Sequence, residues 1–175
     1  GLDNHLAIDS ALDHLAAQGY QAVLYVSEAP GQSSTRQIRL SRFTQSAQQR
    51  ALSHATLLLS TLDETDTLET LSQFLAAHPQ HACAVLCGNG TATLAVTRFF
   101  QTLGWPLGEV GLMGIDELDW CELVTPGITT LAQPTDAIGK AAISCLRHKI
   151  APLNSAQPTT LSFAPSLIER GSTRR

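Results

Sequence analysis

Short apolar, β-rich runs alternate along this chain with segments whose apolar residues recur at helical spacing, and that alternation leaves few folds open. Strands are expected at Ala22–Val26, Thr56–Ser60, Ala82–Leu86, Gly108–Met113 and Ile128–Leu131, with one or two further extended pieces within Thr160–Ile168. Asn4 is placed to cap a first helix carrying Ile8, Ala11, Leu12 and Leu15, which Gly19 closes. Ser33-Ser34-Thr35 open a second, running to about Arg50 with Leu40, Phe43 and Ala47 inward. Asp66 opens a third, with Leu68, Leu71 and Leu75, stopped at His78-Pro79. A fourth places Val96, Phe99, Phe100 and Leu103 on one face before Gly104. A fifth starts near Pro134 and carries the stripe Ile138, Ala141, Ala142, Cys145 and Leu146, after which Pro152–Pro158 reads as a loop. Strand and helix in regular alternation predict an α/β fold, a doubly wound parallel sheet with helices on both faces and right-handed crossovers.

At 175 residues the chain can bury a substantial core without disulfide or metal staples. Its net charge of −4 argues against a nucleic-acid surface on this chain. No apolar run approaches the roughly 20 residues of a membrane helix. The opening Gly-Leu-Asp-Asn-His lacks the basic and apolar regions of a secretory signal. Cys83, Cys87, Cys121 and Cys145 form no C-x-x-C pair and sit in apolar segments, which suits small buried thiols in a reducing cytoplasm. Cys83 and Cys87, four apart in a strand, are expected on one buried face. With His81 they could be imagined as zinc ligands, but a strand sets them in a line rather than a tetrahedron.

In a doubly wound sheet, ligands bind in the crevice beyond the carboxyl ends of the strands. Those ends lead here to Ser33–Arg39, to Thr61–Glu64, to Gly88-Asn89 and to Gly114-Ile115-Asp116-Glu117. Three of the four deliver an arginine, an asparagine and an aspartate, groups that recognise hydroxyls and carboxylates. Each has a plainer reading: Asn89 as a helix cap, Asp116 as a loop acid, Arg39 as a solvated helix residue. Asp116, Glu117 and Asp119 could serve as paired carboxylates, yet adjacent positions on a turn point in different directions. There is no G-x-S-x-G elbow, no G-x-x-x-x-G-K-[ST] loop and no H-E-x-x-H, and Cys87-Gly88-Asn89-Gly90 lacks dinucleotide-loop spacing, so no enzyme is expected.

Several stretches together resemble the effector-binding region of LacI/GalR-type transcriptional repressors. Asp3-Asn4 and His14-Leu15 with Gln18-Gly19-Tyr20 are similar to the start of that family's C-terminal subdomain. Arg39-Leu40-Ser41-Arg42-Phe43 is similar to R-x-x-G-F, and Cys87-Gly88-Asn89 to the N/G-D turn. Leu103–Leu107 with Val110–Glu117 is similar to G-x-x-V-P-x-D-V-S-V-V-G-[FY]-D-[DN]. Pro126–Pro134 with Ile138–Ala142 is similar to P-x-L-T-T-[IV]-x-Q-P…[LI]-G-x-x-A, and Leu167–Thr173 to the closing strand. The resemblance implies a periplasmic-binding-protein-like fold and effector contacts at Thr35, Arg39, Asn89 and Asp116, with Gln133 near the cleft at a crossover. Gly90 departs from the family's usual acid, and Leu62 from an aromatic that stacks on the sugar ring.

It further implies the effector-sensing and dimerisation part of a cytoplasmic, sugar- or sugar-acid-responsive repressor, without cofactor or membrane, whose operator contacts lie in an N-terminal domain absent from these residues. On that reading residues 1–134 form the C-terminal effector subdomain. Residues 135–158 are a crossover helix and loop that would pack on an absent subdomain, and 159–175 a closing strand and tail. Trp120-Cys121 and the Thr91–Leu103 helix are candidates for a homodimer face, and equally for ordinary core. The wording of Asp116–Thr130 is most similar to gluconate- or ketogluconate-type members, and Arg36, Arg39 and Arg42 close together would suit an acidic ligand. The alternative is a periplasmic sugar-binding protein of a transport system, which shares the fold.

Overall fold

The computed structural model describes residues 1–59, 64–78, 82–150 and 160–175. In chain order it runs α1 (Asn4–Ala17), β1 (Ala22–Ser27), α2 (Ser34–Gln49), β2 (Ser53–Leu58), α3 (Glu64–Ala76), β3 (Cys83–Cys87), α4 (Gly90–Leu103), β4 (Gly111–Ile115), β5 (Thr129–Ala132), α5 (Thr135–Ile150) and β6 (Ser166–Ile168). Single 3-10 turns lie at Asp119–Cys121 and Gly171–Thr173. The sheet order is β2-β1-β3-β4-β5-β6, parallel throughout except for the antiparallel closing pair β5–β6. This is the doubly wound arrangement that the alternation predicts, with the connection reversing direction between β1 and β3.

The period of two in the buried strands divides the core. Ala22, Leu24 and Val26 of β1 with Cys83, Val85 and Cys87 of β3 face a layer built from Leu71, Phe74 and Leu75 of α3 and Val96, Phe99 and Phe100 of α4. Val23, Tyr25, Ala84 and Leu86 face the opposite layer, where α1 and α2 supply Ile8, Leu12, Leu15, Phe43 and Ala47. Cys83 and Cys87 therefore share one buried face, and burial pushes the Cys83 thiol up to about 11, so it is an inert small hydrophobe. No helix among the described residues is long and apolar enough to cross a membrane.

The structure corrects several boundaries. Asp3, not Asn4, caps α1, its Oδ1 accepting from the Leu6 N–H at 2.9 Å. Asp66 lies inside α3, which already starts at Glu64. Strand β2 begins at Ser53 rather than Thr56, because an edge strand with one wet face carries polar residues the apolar signal passes over. Strand β4 starts at Gly111 and runs to Ile115, since Gly108 turns the chain at φ +98°. Cys121, a candidate for a dimer face, is fully buried, and Trp120 packs against the same core layer. On α5, Ile138, Ala141 and Cys145 of the stripe are half-buried while Leu146 is 58% exposed, so the stripe is only partly covered, and Ile143 outside it is 60% exposed. Ser60, Leu62, Pro79, His81 and the loop at 152–158 lie outside the described residues.

A buried polar network ties the chain's end to its start. His14 Nε2 lies 2.8 Å from Thr173 Oγ1, which is 2.7 Å from Thr129 Oγ1, while Ser172 Oγ donates to Leu112 O at 2.5 Å. Burial lowers the His14 pKa below its ordinary value, with Glu169 opposing weakly. The native state thus holds His14 neutral, whereas the unfolded chain takes up the proton as pH falls below about 6.5. Stability should be fully present above that pH and fall on acidification toward the lower folded pKa, with a slope of at most about 1.4 kcal/mol per pH unit. Urea unfolding midpoints between pH 7.5 and 5 read this out. The slope should flatten in His14→Gln, and an identical slope in that variant would assign it elsewhere.

Candidate ligand-binding site

At the carboxyl end of β1 the chain leaves the sheet through Glu28 and a loop turned by Gly31, and Ser33 caps α2 by accepting from the Arg36 N–H at 3.4 Å. At the matching end of β3, Gly88 and Asn89 lead into α4, and Asn89 Oδ1 accepts from the Ala92 N–H at 2.9 Å. Gly88 is required by space: a Cβ there would lie 2.2 Å from the Tyr25 hydroxyl oxygen. The end of β4 carries Asp116 in the left-handed region, at φ +92°. For a residue with a side chain that conformation costs roughly 1–3 kcal/mol, and such positions gather at functional sites.

Arg39, Asn89 and Asp116 belong to these three strand ends, and Gln133 follows the next strand, β5. Arg39, 4% exposed, reaches inward from α2 to donate from Nε to Asn4 Oδ1 at 2.7 Å and from Nη1 to the Gly88 carbonyl at 2.6 Å. Burial pulls its guanidinium pKa below the ordinary value, and the negative charge of Asp116 opposes that, so the two belong to one electrostatic neighbourhood. Asp116 accepts from Gln133 Nε2 on one oxygen and, at a long 3.4 Å, from the Gly90 N–H on the other. Asp116 and Gln133 line a depression of about 460 Å³ together with Glu117, Leu118, Ala132 and Thr135. Thr35 stands half-buried in the first turn of α2, and none of the described hydrogen bonds joins it to the other four.

The sequence left two participants, Asn4 and Glu28, out of the site and gave no partner for a third, Glu117. Asn4 is the partner of Arg39 rather than a cap. Glu28 accepts from both Arg36 Nη2 and Asn89 Nδ2, at 2.6 and 2.7 Å. Its signal was available, since it is the first polar residue after a buried strand. Glu117 pairs with Arg170 at 2.6 Å and accepts from Thr130 Oγ1, so the residue after Asp116 is anchored to the closing segment. The three neighbouring arginines do not act as one cluster. Arg42 turns away to chelate Asp9, with Nη2 and Oδ2 2.5 Å apart. Burial would raise the Asp9 pKa, but the Arg42 and Ser46 hydrogen bonds and the charges of Arg42 and Arg50 outweigh it and lower it.

Residues 12–173 match the periplasmic binding protein-like domain. The chain is 41% identical over 176 residues to the HTH-type transcriptional regulator PtxS of Pseudomonas putida, covering 99% of this chain and 50% of the relative. It is 26% identical over 174 residues to the HTH-type transcriptional regulator KdgR of Bacillus subtilis, covering 97% of this chain and 51% of the relative. Among solved structures, the probable maltose operon transcriptional repressor malR from Staphylococcus aureus superposes with a TM-score of 0.85 at 20% identity, over 99% of this chain and 61% of the other. The chain spans about half the length of these two curated relatives.

Proposed function

The chain belongs to the periplasmic binding protein-like domain family, in the form carried by LacI/GalR-type regulators, and on that premise we propose that it is the effector-sensing domain of a sugar- or sugar-acid-responsive DNA-binding repressor. The observation that carries the reading is the convergence of Arg39, Asn89, Asp116 and Gln133 on the carboxyl edge of the sheet. Asp116 there holds a left-handed backbone and lines an open depression. A carboxylate in the electrostatic neighbourhood of a buried guanidinium suits a polyhydroxylated ligand, whose hydroxyls donate to the carboxylate. Thr35 joins the site at the mouth of α2. Residues 1–134 supply these groups. Residues 135–158 carry a helix whose exposed Ile143 and Leu146 suit packing on a further subdomain, and 159–175 close the sheet. Operator contact falls to a part of the regulator outside these residues, the working unit is a cytoplasmic homodimer, and no catalysis is involved. Effector binding acts by favouring one of two arrangements that differ in operator affinity.

The test is calorimetric titration of the full-length protein with a panel of sugars and sugar acids, alongside mobility shift on its upstream DNA. A ligand that binds and changes DNA affinity is expected. Asp116→Ala should weaken that ligand roughly 10- to 100-fold, as loss of charge-assisted hydrogen bonds predicts. Wild-type affinity in Asp116→Ala, or DNA binding indifferent to every bound ligand, would overturn the assignment.

A further inference from the structure

The order β2-β1-β3 places the reversal of the sheet between β1 and β3, the position at which doubly wound sheets open a crevice. Val26 and Cys87 are register partners there, and the first side chains beyond them are Ser27 and Glu28 on one side and Asn89 on the other. At this corner a single carboxylate oxygen, Glu28 Oε2, accepts from Arg36 Nη2 at 2.6 Å and from Asn89 Nδ2 at 2.7 Å. The donors come from the first turn of α2 and the cap of α4, two elements fixed by their own capping hydrogen bonds. The acceptor comes from a loop turned by Gly31 at φ +48°. Donors carried on two capped helices thus converge on a carboxylate that a loop supplies.

That carboxylate is not needed for the fold. Asn89 caps α4 through Oδ1, which Glu28 does not touch. The Arg36–Glu28 pair is 35% and 32% exposed, a setting in which an ion pair contributes about 0–1 kcal/mol. Glu28 can therefore move into water at little cost, leaving Arg36 and Asn89 aimed at a point where negative charge has already been accommodated. We propose that Glu28 is a placeholder for a carboxylate of the effector: the ligand is an acidic sugar derivative whose own carboxylate takes Arg36 and Asn89 from Glu28, making Glu28 and Arg36 the pair that sets acid-against-neutral specificity. This rests on reading the site as a sugar-type effector site. The exchange keeps the charge of the corner constant, one carboxylate replacing another beside Arg36. A neutral polyol offers Arg36 no charge and leaves Glu28 in place. The acid-against-neutral preference is thus set by Arg36, since Arg42 is spent on Asp9 and Arg39 has two of its donors committed to Asn4 and Gly88.

The full-length protein and its Glu28→Gln and Arg36→Gln variants are titrated with D-gluconate and D-glucuronate and with the neutral counterparts D-glucitol and D-glucose, after equal thermal unfolding midpoints confirm intact folds. Wild type should prefer at least one acid to its counterpart about tenfold or more, a preference that weakens with added salt. Glu28→Gln, which removes the competing charge, should tighten the acid severalfold and leave neutral sugars unchanged. Arg36→Gln should lose about tenfold on the acid and abolish the preference. Equal changes for acids and neutral sugars in either variant, or wild-type binding of a neutral sugar without either acid, overturn the placeholder and leave the effector reading standing. Binding of none of the four, with operator affinity unmoved, brings down the effector reading and the placeholder with it.

Discussion

Replacing Arg39 by alanine is expected to abolish effector binding, by 100-fold or more, and to cost the fold about 3 kcal/mol. Both effects follow from its place as a cation that is 4% exposed at the junction of three elements. Its Nε and Nη1 hold Asn4 of α1 and the Gly88 carbonyl at the end of β3. Truncation leaves a buried acceptor, the Gly88 carbonyl, and a part-buried one, Asn4 Oδ1, without donors, the buried one a loss of roughly 1–3 kcal/mol, and removes the aliphatic stem of the side chain. It also removes a buried positive charge that interacts with Asp116. Arg39→Lys separates the two effects. An ammonium keeps the charge, so much of the stability should survive, but it cannot span Asn4 and Gly88 in the fixed fork of a guanidinium, so affinity should still fall steeply. Urea unfolding and calorimetry on the same preparations give both numbers. Wild-type affinity in the alanine variant would remove Arg39 from the site.

The architecture was legible because its signals are periodic. Continuous apolar runs mark the strands buried on both faces, a spacing of 3.6 marks the inner faces of the helices, and the strand ends follow from the runs. Arg39, Asn89 and Asp116 could be found by asking what stands at those ends. Periodicity is silent about partners. Asn4 has every local property of a cap, and only the tertiary approach of α2 turns its amide toward Arg39 while the neighbouring Asp3 caps the helix. The charges of Arg36, Arg39 and Arg42 add up in the sequence, but helical geometry sends them three ways, to Glu28, to Gly88 and to Asp9. Strand β2 blurred at its start for a related reason, since the face of an edge strand that meets water carries no apolar mark.

Arg170→Met should remove about 2–3 kcal/mol of stability and weaken the effector about tenfold, although Arg170 lies well along the chain from Asp116. Its guanidinium clasps Glu117 with both nitrogens, at 2.6 and 3.1 Å, and Nη1 also donates to the Ile128 carbonyl at 2.8 Å. The backbone N–H and carbonyl of Arg170 are both bonded to Thr129 Oγ1 at 3.0 Å. With side chains 17% and 26% exposed, the pair lies between a surface ion pair and a buried one, which sets the range given. The Arg170 hydrogen bonds are the main cause holding the Glu117 carboxyl below its usual pKa, against burial and with help from Thr130. The stabilisation from that shift is accordingly present above about pH 4.5 and lost as pH falls through the lower folded value, a window separate from that of His14. Asp116 holds its left-handed backbone between Ile115, buried in β4, and this anchored glutamate. Releasing the anchor lets Asp116 relax toward an ordinary conformation and swing its carboxylate off Gln133. The double variant Glu117→Met/Arg170→Met distinguishes anchoring from general weakening. With no orphaned charge it should recover stability toward wild type. Its effector affinity should stay low, because nothing then fixes the turn. Recovery of both together would show that Arg170 serves the fold alone.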